Sequence, residues 1–117
     1  MSLDSVLKQK SLHFAQRIVR LYQFLTSEKR ETVMSKQILR SGTSIGANIA
    51  EAIYGSGRKD FGAKLQIARK EAAETLYWLE LLHSCNYLSD KQYESLSQDC
   101  SELIAILTST TKTLEET

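Results

Sequence analysis

No proline interrupts the 117 residues of this chain, and glycine occurs only five times. Proline is the residue that most reliably stops a helix, and folds built from many short strands need glycine and proline at their corners. Long helices are therefore permitted almost everywhere, and a turn-dense sheet is disfavoured. The length suits one domain over residues 1–117, since two cores of half that size would each be marginal. With 42% hydrophobic and 25% charged residues the composition is that of a globular protein, not of a disordered chain. No apolar run approaches the ~20 residues that cross a bilayer. The N-terminal MSLDSVLKQK lacks the apolar stretch of a secretory signal, so a cytoplasmic location is expected.

Hydrophobic spacing then divides the chain into four helices. Over residues 5–26, Leu7, Phe14, Ile18, Leu21 and Leu25 recur on one face, beside a basic stripe of Lys10, His13, Arg17 and Arg20. Residues 27–32 are polar and read as a connection. Over residues 35–54, Ile38, Gly42, Ile45, Ile49 and Ile53 share a face whose neighbours Ser41, Gly46, Ala47 and Ala50 are small. Glycine inside a helix costs about 0.5–1 kcal/mol against alanine, so Gly42 and Gly46 imply the close approach of another backbone. Gly55-Ser56-Gly57 turns the chain. The third helix, from Arg58 to His83 or Cys85, has a core stripe of Phe61, Leu65, Ala68, Ala72, Leu76 and Leu79. A second stripe lies about 100° round the cylinder: Lys64, Ile67, Glu71, Glu74, Trp78 and Leu81. A helix at the edge of a lone bundle needs one apolar face, so Ile67, Trp78 and Leu81 call for a further partner. Ser89 and Gln92 form a capping box, with Leu88 and Tyr93 placed as a hydrophobic staple, before a fourth helix through Tyr93, Leu96, Cys100, Leu103 and Leu107. The weak helix formers from Thr108 to Thr111 are expected to fray. Four amphipathic helices with short connections pack as an all-α, antiparallel up-down-up-down four-helix bundle.

Charge is divided unevenly along this chain. Residues 1–70 hold 13 Lys and Arg against 5 Asp and Glu, +8; residues 71–117 hold 2 against 9, −7. Either an anionic partner such as nucleic acid meets the basic half, or the two halves attract one another within or between subunits. The candidate phosphate contacts are Lys10, Arg17, Arg20, Arg58 and Lys59. Gly55-Ser56-Gly57-Arg58-Lys59-Asp60 lacks the Walker spacing and follows a helix, so it reads as a helix-joining turn. On the second helix Arg40, Ser44, Asn48 and Glu51 form a polar stripe that can join helices or subunits, for example by pairing Asn48 and Glu51 with Arg40, Lys64 or Lys70 of a neighbour. Glu71 and Glu74 stand one turn apart, but no histidine falls in the Glu-x-x-His spacing of a bundle di-metal site, so no catalytic, metal or cofactor site is assigned. Cys85 and Cys100 fall about 15 Å apart along the helical path, too far for a disulfide.

The stretch Ile38-Leu39-Arg40-Ser41-Gly42-Thr43-Ser44-Ile45-Gly46-Ala47-Asn48-Ile49-Ala50-Glu51-Ala52, with Lys59-Asp60-Phe61 and the run from Lys70 through Glu71, Glu74, Tyr77 and Trp78 to Leu79, resembles the bacterial "four helix bundle protein" family. That family includes proteins encoded by intervening sequences in 23S ribosomal RNA genes, often labelled S23 ribosomal protein. The accessory variability determinant of diversity-generating retroelements is similar. Many members carry Gly where this chain has Ala52, which marks a subgroup. The resemblance implies a four-helix subunit in a ring-like homopentamer without catalytic residues. From the retroelement relative it implies nucleic acid and a reverse transcriptase as partners for a basic surface. Two functions follow as expectations: a non-enzymatic oligomeric scaffold whose basic stripes bind structured RNA or DNA, or an oligomeric protein–protein adaptor with no nucleic-acid role.

Overall fold

The computed structural model describes residues 2–116. Helix α1 spans Leu3–Ser27, α2 Met34–Tyr54, α3 Arg58–Ser84 and α4 Asp90–Glu116. Each helix packs antiparallel against its neighbour in the chain, and α4 returns beside α1, where the backbones approach least closely. The result is an up-down-up-down bundle 46 Å long and 24 by 21 Å across.

Apart from Gly42, Gly46 and Gly62, the helix-breaking chemistry sits at the ends of the helices. The Ser2 hydroxyl accepts from the Ser5 amide and caps α1. The expected capping box closes α4: the Ser89 amide donates to Gln92 Oε1 at 2.8 Å, and the Gln92 amide donates to Ser89 Oγ at 3.1 Å. Leu88 is buried beneath it, while the Tyr93 ring stacks on His83 with centroids 4.3 Å apart. After α3, Asn86 takes φ 67° and the Tyr87 amide reaches back to the Leu82 carbonyl, a left-handed cap that asparagine tolerates. Before it, Gly57 takes φ 91°. Helix α2 is capped from outside itself. The buried Glu31 carboxylate accepts from the amides of Ser35, at 2.7 Å, and Val33, at 3.2 Å. Anionic oxygen at a helix N-terminus satisfies orphan amides and suits the dipole, so Glu31 is a cap and not part of a plain connection.

The core is the set of stripes that the spacing predicts. Leu7, Phe14, Ile18 and Leu25 of α1, Ile38, Ile45 and Ile49 of α2, and Cys100, Leu103 and Leu107 of α4 are all nearly inaccessible. Each large apolar side chain so buried contributes about 1.5–3 kcal/mol. On α3 the centre of the stripe differs from expectation. Leu65, Ala68, Ala72 and Leu79 are buried, but Phe61 and Leu76 are half-exposed, and Thr75 and Leu82 take the interior places. The tail of α4 also differs: it stays helical through Glu116. Thr111 is buried, and the hydroxyls of Thr110, Thr111 and Thr113 each donate to the carbonyl four residues back. Packing against α3 outweighs the low helix propensity there.

Candidate interaction faces

Helix α2 runs between α1 and α3 and turns a different chemistry toward each. Toward α3 it presents the polar stripe. Arg40 Nη1 donates to Glu71 Oε2 at 3.2 Å, and Arg40 Nη2 pairs with Glu74. Glu74 Oε2 also accepts from the Trp78 indole at 2.9 Å, and Lys64 pairs with Glu51 at 3.2 Å. Beneath them Thr75 Oγ1 donates to Ser41 Oγ at 2.9 Å, both residues wholly buried. Ser44 and Asn48 donate to the carbonyls one turn back, of Arg40 and Ser44. The structure thus brings Arg40, Glu71, Glu74 and Trp78 together inside one chain, and pairs Glu51 separately with Lys64. Trp78 and Leu81 are half-buried without any second subunit, and of the apolar members of that stripe only Ile67, at 42%, is exposed.

The basic stripe of α1 faces α4. Lys10 pairs with Glu102, Arg17 Nη1 pairs with Asp99 at 2.7 Å, and Arg17 Nη2 donates to the Ser95 hydroxyl at 2.8 Å. Two of the five candidate phosphate contacts are therefore neutralised by the acidic helix. Arg20 is exposed beside Phe24 and Leu96 and has no ion pair among the described residues. Arg58 and Lys59 stand on the first turn of α3 at the rim of an open cleft of about 430 Å³, floored by Gly62, Thr111 and Leu114 and bounded by Glu115.

The α1/α2 face is different and was not singled out from the sequence. A groove of about 220 Å³ runs between Leu12 and Ala15 of α1 and Thr43, Gly46, Ala47 and Ala50 of α2. Leu12 is 57% exposed, Val19 40% and Tyr54 74%. A polar cross-link on this seam is uncharged on one side, Lys8 Nζ donating to the Tyr54 hydroxyl at 3.0 Å. The two glycines explain how α1 comes so close. A Cβ on Gly42 would lie 2.8 Å from Ile18 Cγ1 and Cγ2, and one on Gly46 would lie 3.4 Å from Ser11 Oγ. The expected partner at Gly42 is thus a side chain, not backbone. The signal for this face was present in the sequence: Leu12, Ala15 and Val19 follow a helical step just beside the core stripe, and alanines repeat at 47 and 50.

Other reactive groups are accounted for. Cys85 is exposed and Cys100 is buried, both as free thiols. Burial pushes the Cys100 thiol up to about 12, with the charge of Asp99 adding to the rise, and its Sγ lies 3.3 Å from the Ala72 carbonyl. Among the described residues no group of three His, Cys, Asp or Glu converges as a metal site requires, and no helix is long and apolar enough to cross a membrane.

This geometry, four helices with a Ser-Ile-x-x-Asn-Ile-Ala-Glu segment on the second, can be set beside known proteins. The family model described as 23S rRNA-intervening sequence protein matches residues 4–109, nearly the whole chain. The chain belongs to that family. A crystal structure of a protein of unknown function from the S23 ribosomal protein family of Bacteroides thetaiotaomicron is 58% identical, superposes with a TM-score of 0.92, and covers 95% of this chain and 99% of that one. No curated protein matches. Within the Arg40 to Glu51 segment, Arg40, Ser41 and Glu51 fasten α2 to α3.

Proposed function

We propose that this member of the 23S rRNA-intervening sequence protein family is a non-enzymatic, self-assembling scaffold that works in the cytoplasm as a homo-oligomer, with five copies as the family resemblance implies. The observation that supports the reading is the α1/α2 face. It exposes Leu12, Val19 and Tyr54 around a groove of small residues, and no charged side chain stands along it between Lys8 and Lys36. Depletion of charge with retention of aromatics is what the centre of a protein interface looks like. A monomer gains nothing by leaving such a strip in water.

Leu12→Glu tests this directly, because the side chain is exposed and lies outside the buried core. Native mass spectrometry at micromolar concentration is expected to find an oligomer for the parent chain and monomers for the variant. A monomeric parent chain overturns the proposal.

Nucleic-acid binding is the second reading, and it is favoured by Arg20 and Lys59, exposed cations with no ion pair among the described residues. Lys10 and Arg17 would first have to leave Glu102 and Asp99. Binding through phosphates falls by roughly 0.9 log unit per log unit of salt for each duplex phosphate neutralised. A gel-shift titration at two salt concentrations that finds no complex at either leaves the protein–protein adaptor as the role.

A further inference from the structure

Three seams of the bundle join helices that follow one another in the chain; the α1/α4 seam has no connection across it. The backbones approach least closely there, and two hollows interrupt it. One, of about 60 Å³, lies beneath Lys10, His13, Asp99 and Glu102 and reaches down to Phe14 and Leu103. The other, of about 300 Å³, lies between Arg20 and Gln92 over Leu21 and Leu96. Charge ties the surface of this seam: Lys10 to Glu102, and Arg17 to Asp99 and to the Ser95 hydroxyl and carbonyl. The paired side chains are 24% to 48% exposed, so water and salt compete for both pairs.

Helix α4 is held no more firmly from its other side. Near its two ends it bonds to α3 at the surface, Asp90 with His83 Nε2 at 2.7 Å and Glu115 with Gln66 at 3.1 Å. In the middle it offers the Cys100 thiol to the Ala72 carbonyl, and a thiol is a weak donor. The threonines and serine from Thr108 to Thr113 add little helix propensity. In the turn before α4, Cys85 and Asn86 are exposed, and Asn86 already takes φ 67°. A few residues at an element's end suffice as a hinge. We infer that α4 is a latch, lifting as a unit from a closed α1–α2–α3 core about the turn at 85–89, with the ion pairs to α1 setting how often it opens. Opening bares Phe14, Leu103 and Cys100 beside Lys10 and Arg17, an apolar strip with a basic edge that the closed bundle hides. The latch belongs to the single copy and is independent of the scaffold reading.

The test is thiol labelling under native conditions in the Cys85→Ser, Ser41→Cys chain, with peptide mass spectrometry reading both thiols in the same molecule. Position 41 is wholly buried between α2 and α3 and reports global unfolding; Cys100, as deeply buried under α4, reports the latch. Burial pushes the Cys100 thiol up to about 12, so labelling waits for opening. With each rate divided by that of the urea-unfolded chain, Cys100 is expected to label about tenfold faster or more than position 41. Arg17→Ala breaks links lost in both openings and is expected to raise both rates roughly two- to fivefold. Gly42→Ala strains the α1/α2 seam, which the latch leaves closed, and is expected to raise only the rate at position 41. Equal normalised rates at the two positions overturn the latch. So does a Cys100 rate that ignores Arg17→Ala, or one that climbs in step with position 41 on Gly42→Ala.

Discussion

The two sides of α2 hold their neighbours by opposite means. Toward α3 the seam is made of directional bonds: Thr75 to Ser41 in the interior, then Arg40 to Glu71 and Glu74, Trp78 to Glu74, and Lys64 to Glu51 nearer the surface. Toward α1 it is made of shape, with Ile18 filling the space that Gly42 vacates and Ser11 resting on Gly46. A seam made of bonds consumes the polar groups that form it, so little is left to recruit a partner. A seam made of shape leaves its outer rim apolar and unoccupied. That contrast is why the interaction surface is placed on α1/α2, although the polar stripe is the more conspicuous feature of the sequence.

The largest expected effect tests the shape side. Gly42→Ala gains up to about 1 kcal/mol of helix propensity. Its Cβ would meet the Ile18 branch at 2.8 Å, and Ile18 is fully buried and stiff at χ1. Overpacking of that kind costs about 1–3 kcal/mol and outweighs the gain, so urea unfolding should show a net loss of about 1–2 kcal/mol. Gly46→Ala meets nothing closer than 3.4 Å and should be neutral or stabilising by up to about 1 kcal/mol. Equal effects at the two positions would mean that α1 is not held by a specific fit.

The next effect belongs to the bonded side. Thr75→Val keeps the volume but leaves the buried Ser41 hydroxyl without its donor, at a cost of about 1–2 kcal/mol. Adding Ser41→Ala removes the stranded group and should return part of the loss. Additivity of the two substitutions in thermal unfolding would show that the hydroxyls do not act as a pair.

How much of this was legible in the sequence depends on the distance over which a signal acts. The stripe from Leu7 to Leu25, the Ser89–Gln92 box and the glycine turn at 55–57 are local patterns, and each is found where the spacing puts it. Arg17 and Asp99 are 82 residues apart, so periodicity could show a basic stripe but not that α4 would neutralise it. The second stripe on α3 is partly covered for a geometric reason. A helix in a square bundle touches two neighbours, so its covered arc is wider than one apolar face, and Trp78 and Leu81 are half-buried within the single chain. Thr75, polar by composition, gave no sign of being interior until its partner Ser41 was placed opposite. Glu31 was equally silent, because a carboxylate in a connection becomes a cap only once the chain folds back over α2.

The smallest effect separates conspicuous from important. Arg40→Ala removes two of the three ion pairs that the α2 stripe makes with α3, yet the Arg40 side chain is 49% exposed and Glu74 35%. Pairs so open to water are screened and are worth at most about 1 kcal/mol. They are opposed by the entropy of holding a long side chain in place. The substitution does leave Glu71 and Glu74 one turn apart without their shared cation, a like-charge contact worth a few tenths of a kcal/mol against the helix. The expected loss in urea unfolding is therefore about 0.5–1 kcal/mol, shrinking as salt is raised from low to near-molar concentration. A loss beyond about 2 kcal/mol that ignores salt would belong to a desolvated network instead, and it would move the weight of the α2/α3 seam from its buried hydroxyl pair to its surface charges.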